Sequence, residues 1–482
     1  MKLSALAVQA GLLLPAGADA GISGFAIDSR KVAPGNVFGA FPGLQVNGED
    51  YIPSAIAAGA IAIVARPNAR VEGAIHIAAE EPRRAFARLA SAFFGPFPET
   101  LVAVTGTNGK TSTVEMTRQI WRMAGHRAAS IGTLGVTTPD GSEYTGLTTP
   151  DIVTFLANMG GLAREGVSHV AYEASSHGLA QFRSEGPQVA AGAFTNLSRD
   201  HLDYHGTMEA YFAAKMRLFD EVVMRDGSAV VCRGSVWADR ACEHVRRGEL
   251  RLFTVGEQAE DICLLARVPT QLGQTLDIAY GGQRLKLSLP LIGGYQASNA
   301  LVAVGLALVT GGDADQVFDA LSRLQPVRGR LERAAITAQG VPVYVDYAHT
   351  PDALEAAIAA LHPHVTGRLI TVFGAGGDRD TGKRRDMGAA AARGSDLVIV
   401  TDDNPRGEDP AAIRAMVLQG APDAREIGDR REAIATALAE AREGDIVLVA
   451  GKGHEQGQVI GRGQDARILP FDDVSVAREC AA

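Results

Sequence analysis

None of the four cysteines, Cys232, Cys242, Cys263 and Cys480, stands in a CxxC pair or in a metal-ligand spacing. That argues against a cysteine-built metal knuckle and fits unpaired thiols in a reducing compartment. No run of 18 apolar residues occurs, so no membrane-spanning helix is expected. An excess of basic charge is also missing. The 46 Lys and Arg against 55 Asp and Glu leave a formal charge of −9, the opposite of the basic face that marks a nucleic-acid binder. A local basic pocket for an anionic substrate remains compatible with that total. Internal repeats and low-complexity tracts do not stand out.

What is present points to a globular enzyme. A hydrophobic fraction of 46% over 482 residues supports more than one core, and at roughly 100–200 residues per domain the length predicts about three domains. The first twenty residues, MKLSALAVQAGLLLPAGADA, mimic a secretory leader, with a lysine, an apolar stretch and an Ala-x-Ala ending. Gln9 interrupts the apolar run, and the stretch is read as an amphipathic first helix. Further on, GAIAIVARP and GAIHIAAEEPRRAFARLASAFFG read as a strand and a strand leading into a helix. From Leu101 the continuous apolar strands LVAVTG, VSHVAYEAS and VAAGAFTNLS, and then GSAVVCRG, alternate with helical patterns. That is the mark of a parallel sheet covered on both faces. From Gly340 four more apolar strands (VPVYVDYAH, RLITVFGAGG, DLVIVTDDNP, DIVLVAGKGHE) each end in a polar or glycine-rich stretch. In open α/β sheets ligands gather at such carboxyl ends. The expected boundaries are 1–97, 98–330 and 331–482, with a linker near LQPVRGRLE.

The most informative stretch is VAVTGTNGKTS, residues 102–112. A phosphate-binding loop reads GxxxxGK[ST]. Here Gly109-Lys110-Thr111 is present, but Val104 holds the position of the first glycine and Gly106 follows two residues later. Gly106 and Gly109 can still turn backbone N–H groups toward phosphate oxygens at the start of a helix. Lys110 would reach the terminal phosphates and Thr111 would offer its hydroxyl to Mg²⁺. Glu173, ending a buried strand, suits a metal ligand, and His201 is a candidate ligand for a second metal. Taken alone, Glu173 reads equally as a strand-end charge and Lys215 as a solvated helix lysine.

TGTNGKTS, with DHLDYHG and YFAAKMRLF downstream, resembles the Mur ligase superfamily, which joins an amino acid to a carboxylate at the expense of ATP. GGYQASNALVAV, RGRLE and VDYAHTPDAL follow in the family's order, so the resemblance runs over most of the chain. It implies three domains: an N-terminal UDP-sugar-binding domain, a central P-loop parallel-sheet ATPase domain and a C-terminal Rossmann-like domain. By the same resemblance, Gly106, Thr107, Asn108, Gly109, Lys110, Thr111, Ser112, Asn299, Arg330 and Asp346 hold ATP. Lys110, His201 and Lys215 are catalytic, and Lys215 carries a carbamate formed with CO₂. Thr111, Glu173, His201 and the carbamate are the implied Mg²⁺ ligands. A free ammonium would repel the metal, whereas a carbamate helps to hold it.

Three segments resemble particular branches of the family. DSRKVAPGNVFGAFPG is similar to a uridine-binding segment, with Ser29 at a contact; GLQVNG, residues 43–48, matches the next contact region loosely. LTTPD and SSHGLAQFR are similar to segments holding the muramoyl dipeptide, which implies Thr148, Thr149, Ser175, Gln181 and Arg183. Thr148 and Thr149 also read as an N-cap for the helix that follows. DNPR, residues 403–406, resembles the motif of members that add meso-diaminopimelate. Diaminopimelate has a distal carboxylate and ammonium, and the forked guanidinium of Arg406 suits the carboxylate, whereas lysine would present only a like charge. Asp403 and Asn404 are read as taking the amine, Glu455 as accepting from the distal ammonium, and Arg379, Pro405 and Gly451 as completing the site. DNPR alone also reads as a type I turn. The family often continues GHEDYQ where this chain has GHEQGQ.

The activity so implied is phosphorylation of the D-glutamate γ-carboxylate of UDP-N-acetylmuramoyl-L-alanyl-D-glutamate by ATP, then attack of the diaminopimelate amine on the acyl phosphate. His349 and His454 are candidates for the base at that amine. A cytoplasmic monomer without nucleic-acid or membrane partners is expected. The rivals are a lysine-adding ligase, a D-Ala-D-Ala-adding ligase, a P-loop switch NTPase and a non-catalytic uridine-nucleotide binder.

Overall fold

The computed structural model describes residues 1–15, 17–43, 46–143, 148–270, 273–378 and 380–482. The first helix, Leu3–Ala10, buries Leu3, Leu6, Ala7 and Ala10. This i, i+3, i+4, i+7 stripe packs on the helix Pro82–Phe94. Gly11 ends the helix in a left-handed conformation, and its N–H bonds back to Ala7 and Val8. Four parallel strands follow in chain order: Gly24–Ala26, Asn36–Gly39, Ala62–Ala65 and Ile75–Ala78.

A central sheet of eleven strands comes next. Its heart is parallel. Val189–Phe194, Thr100–Thr105, His169–Glu173 and Ala128–Gly132 lie side by side, and Val223–Cys232 and Arg251–Gly256 continue beyond Val189–Phe194. Thr100–Thr105 is apolar throughout because both its faces are covered. Leu101 and Ala103 belong to the core shared with the N-terminal sheet; Val102 and Val104 pack with the helices Lys110–Met123 and Gly294–Val309 on the other side. One edge continues in the antiparallel strands Ile262–Thr270, Gly273–Tyr280 and Gln283–Leu289. These alternate in burial and carry charge outward, so they lack the continuous apolar runs of the interior.

The third sheet holds the four strands expected after Gly340: Pro342–Asp346, Ile446–Ala450, Leu369–Phe373 and Leu397–Val400, all parallel. It also has an element that the sequence reading did not expect. Glu332–Ile336, with an exposed arginine and isoleucine, pairs antiparallel along the edge. Beyond Ala450 the hairpin Gly457–Ile460 and Arg467–Pro470 folds back over the strand ends. No helix among the described residues is long and apolar enough to cross a membrane.

Candidate functional site

The phosphate loop leaves the strand Thr100–Thr105 and enters the helix Lys110–Met123. Gly109 has φ +84°, and a Cβ there would stand 2.3 Å from Asn299 Oδ1. Gly106 has φ +149°, and its Cβ would meet Thr195 Oγ1 at 1.9 Å. Both glycines are required by conformation and by close approach. Thr195 and Asn196, which the sequence reading passed over, brace the loop. Thr195 Oγ1 donates to Asn108 O at 2.6 Å, and Asn108 N donates to Asn196 Oδ1 at 2.9 Å. Their signal was the TN that closes the strand Val189–Phe194. Thr107 Oγ1 reaches Ser198 O at 3.2 Å, and Ser112 is buried in the helix's first turn.

Lys110 and Lys215 converge on this loop. Lys110 Nζ donates to Gly106 O at 2.9 Å and Thr107 O at 2.7 Å, and Lys215 Nζ donates to Gly106 O at 2.7 Å. Lys215 is 1% exposed, not the solvated cation that a lone helix lysine suggests. Burial, followed by the Lys110 charge, holds its pKa well below the ordinary lysine value.

Beside them Thr111 Oγ1 donates to Glu173 Oε1 at 2.9 Å, and Thr133 N donates to the same oxygen at 2.7 Å. Arg330 Nη2 donates to Thr111 Oγ1 at 2.9 Å. His201 has φ +54°, and burial depresses its ring to a pKa of about 4, which leaves it the neutral imidazole a metal requires. Tyr211 contacts both His201 and Lys215, with ring centroids 6.1 Å from His201 and Nζ of Lys215 4.4 Å from the Tyr211 ring. Of the expected metal set, then, Thr111 and Glu173 touch, while His201 and Lys215 share Tyr211 as a neighbour. Among the described residues no three His, Cys, Asp or Glu side chains converge as a metal cluster. The donor chemistry still suits Mg²⁺, since Thr111 and Glu173 offer hard oxygens beside the loop.

Asn299 packs on the loop at Gly109 and donates to Gln296. Asp346 accepts from Leu331 N at 2.6 Å, Ala348 N at 2.8 Å and, more loosely, Tyr295 Oη at 3.4 Å. It thus ties the linker to the third sheet, and burial pushes its pKa up to about 6. Arg330, in the same linker, also stacks on the Tyr347 ring at 4.6 Å.

The dipeptide candidates cluster next to Glu173. Thr149 Oγ1 donates to Glu173 O at 2.9 Å, and Ser175 N donates to Thr149 Oγ1 at 3.1 Å. Arg183 Nη1 reaches Thr149 O at 3.0 Å, Arg183 Nη2 holds Gln181 Oε1 at 2.7 Å, and Gln181 bonds Tyr204. Thr148 pairs with Thr133 at 3.0 Å. The helix N-cap expected of Thr148 and Thr149 is corrected: Asp151 Oδ1 takes the N–H groups of Val153 and Thr154, because its carboxylate stands directly before the first turn. Leu147 lies outside the described residues.

Ser29 lines a cavity of about 740 Å³ between the first sheet and the start of helix Ile152–Arg164. Val46 borders it; Leu44 and Gln45 lie outside the described residues. Arg30, Lys31 and Arg83 also line it, basic groups that the sequence reading did not single out.

Asp403, Asn404, Pro405, Arg406, Gly451 and Glu455 meet at the carboxyl ends of the third sheet. Arg406 Nη1 donates to Gly377 O at 2.8 Å, and its N–H bonds Val459 O at 3.0 Å. Gly451 has φ +115°, and a Cβ there would lie 2.8 Å from Asp403 Oδ2. Asn404 Nδ2 donates to Glu455 Oε2 at 2.7 Å. Arg379 lies outside the described residues. His349 and His454 flank Tyr347, with ring centroids at 4.6 and 4.9 Å. Burial lowers them below the ordinary imidazole value, to about 4 and 3.

A phosphate loop on one parallel sheet, facing charged strand ends on a second, defines an ATP-using ligase. The chain belongs to the Mur ligase family. It matches the Mur ligase family catalytic domain over residues 21–94, the Mur ligase middle domain over 104–307 and the Mur ligase glutamate ligase domain over 329–453. It is 60% identical to the UDP-N-acetylmuramoyl-L-alanyl-D-glutamate–2,6-diaminopimelate ligase of Zymomonas mobilis, covering 99% of this chain and 98% of that one. The protein of the same name from Caulobacter vibrioides is 50% identical, with 96% of each chain covered. A solved structure carrying that name aligns over 95% of this chain and 94% of its own, at 34% identity and a TM-score of 0.68.

Proposed function

We propose that the chain adds meso-2,6-diaminopimelate to the D-glutamate γ-carboxylate of UDP-N-acetylmuramoyl-L-alanyl-D-glutamate, with ATP converted to ADP and phosphate, in peptidoglycan precursor synthesis. The observation that carries the reading is Arg330. It touches Thr111 of the phosphate loop and stacks on Tyr347 beside the diaminopimelate candidates, which links ATP chemistry to the amine site.

In the first step the γ-carboxylate attacks the γ-phosphate and ADP leaves; in the second the amine attacks the acyl phosphate and phosphate leaves. Catalysis of the first step is mostly positioning and charge neutralisation. Lys110 would exchange the carbonyls of Gly106 and Thr107 for phosphate oxygens, and the loop N–H groups would face the same anion. Thr111, Glu173 and His201 would hold Mg²⁺, which when bound polarises the phosphate and neutralises its charge. A lysine with its pKa held down supplies the neutral amine that adds CO₂ with loss of a proton. Lys215 as a carbamate would then set an anion beside Lys110. Thr149, Ser175, Gln181 and Arg183 would orient the dipeptide, and Ser29 the uridine end. Arg406 and Glu455 would take the distal carboxylate and ammonium of the amine.

The test is ADP release and product mass with Mg-ATP, the UDP-muramoyl dipeptide and, in parallel, diaminopimelate, L-lysine or D-Ala-D-Ala. A tripeptide nucleotide formed with diaminopimelate is expected. ADP release without an amide product from any of the three amines would overturn the reading.

A further inference from the structure

Lys452 plays no part in the chemistry described so far, yet it is 0% exposed. Its Nζ spends all three protons beside the amine site, on Asn404 Oδ1 at 3.0 Å, Glu455 Oε2 at 3.2 Å and Gly457 O at 2.6 Å. Asp403 Oδ1 stands 3.8 Å away as a second counter-charge. Burying an ammonium this completely is costly, and four convergent acceptors are what offset it.

The consequence falls on Asn404. Its Oδ1 accepts from Lys452 Nζ and, at 2.9 Å, from Val459 N. A carbonyl oxygen has two lone pairs, and both are then taken. The amide cannot turn over without burying Nδ2 against two donors. Nδ2 therefore faces Glu455 at 2.7 Å, with one N–H not used by these bonds. Glu455 Oε2 is fixed by Asn404 Nδ2 and Lys452 Nζ, which leaves Oε1 outside these bonds.

We infer that Lys452 is the positioning residue that sets the polarity of the amine pocket, locking Asn404 as a hydrogen-bond donor and Glu455 as an acceptor. Asn404 then joins Arg406 on the side that receives the distal carboxylate, rather than taking the amine, and Glu455 alone takes the ammonium. The inference rests on the diaminopimelate reading above. It predicts that discrimination against lysine, which lacks that carboxylate, runs through a residue that touches neither substrate.

The test is steady-state kinetics of the full chain and of Lys452→Met, with KM measured separately for diaminopimelate, ATP and the UDP-dipeptide. The ratio of kcat/KM for diaminopimelate over L-lysine is read as well. The expected result is a rise of about tenfold or more in KM for diaminopimelate, unchanged KM for the other two substrates and a fall in the ratio. Should Lys452→Met not fold, Asn404→Asp keeps the acceptor for Lys452 and Val459 while it replaces the donor by a carboxylate oxygen facing Glu455. The same selective rise in KM is expected of it. Equal changes in all three KM values, or an unchanged ratio, would overturn the inference. Failure of the unmodified chain to use diaminopimelate would instead overturn the substrate reading on which it rests.

Discussion

At the phosphate loop two lysine amino groups, Lys110 and Lys215, rest on the backbone carbonyls of Gly106 and Thr107. Among the described residues no carboxylate is hydrogen-bonded to either. At the ends of the third sheet the buried cations are matched: Lys452 with Glu455, Arg384 with Glu408 at 2.8 Å and Arg430 with Asp473 at 2.7 Å. Arg406 stands apart, held by carbonyl oxygens. The first region holds its lysines on carbonyl oxygens, groups that an incoming polyanion can displace, as the proposed triphosphate site requires. In the second, these cations are matched beforehand and Arg406 is held by carbonyl oxygens among the described residues, as suits the proposed site for a zwitterion with equal numbers of each charge.

The sharpest way to break this contrast is at Lys215. Lys215→Ala removes the amine that can take up CO₂ and become an anion, and ADP release should fall by about a thousandfold or more. Added acetate or formate should restore part of it, and full activity in the variant would end the carbamate role. Next in size is Gly109→Ala. It forces a left-handed alanine whose Cβ meets Asn299 Oδ1 at 2.3 Å. KM for ATP should rise roughly tenfold to a hundredfold while that for diaminopimelate holds, so a common shift would show that the two regions are not separable. Arg406→Lys keeps the charge and loses the fork. KM for diaminopimelate should rise about tenfold, and an unchanged value would remove the distal carboxylate from the argument.

The smallest effect is on stability against pH. His169, His201, His205 and His349 have folded pKa values of about 4, and His454 about 3, against an ordinary 6.5. The unfolded chain therefore takes up protons that the folded chain refuses. Their contribution is complete above about pH 6.5 and is lost as pH falls toward 4. Asp346 runs the other way, raised from 3.8 to about 6, and it adds stability as pH falls through that window. His177 and His364 are lowered in the same direction, so the histidines outnumber Asp346 and the thermal midpoint should decline from pH 6.5 to 4.5. A midpoint that held level would show Asp346 outweighing the histidines.

The two regions were unequally legible in the sequence. The loop is built by backbone, and backbone needs leave glycines at set positions. Gly106 and Gly109 could therefore be read, and Thr111 and Glu173, quoted 62 residues apart, touch in the fold. The third-sheet site depends on side-chain partners, and a partner's role is not written in its own neighbourhood. Lys452 passed as part of a glycine-rich strand end, and nothing local says which way Asn404 turns its amide. The edge strand Glu332–Ile336 and the Asp151 cap were missed for a similar reason. The strand's pairing is decided by Pro342–Asp346 in space, and the cap by which side chain stands before the first turn.

The linker carries a further consequence. Arg330 has one hand on Thr111 and its face on Tyr347, while the next residue, Leu331, is pinned to Asp346. Were a nucleotide to draw Arg330 toward the loop and so change the free energy of the proposed amine site, thermodynamic reciprocity would require the amine to change nucleotide affinity by the same factor. Titrating ATP with and without diaminopimelate, and the reverse, must return one and the same number, and Arg330→Ala should drive it toward one.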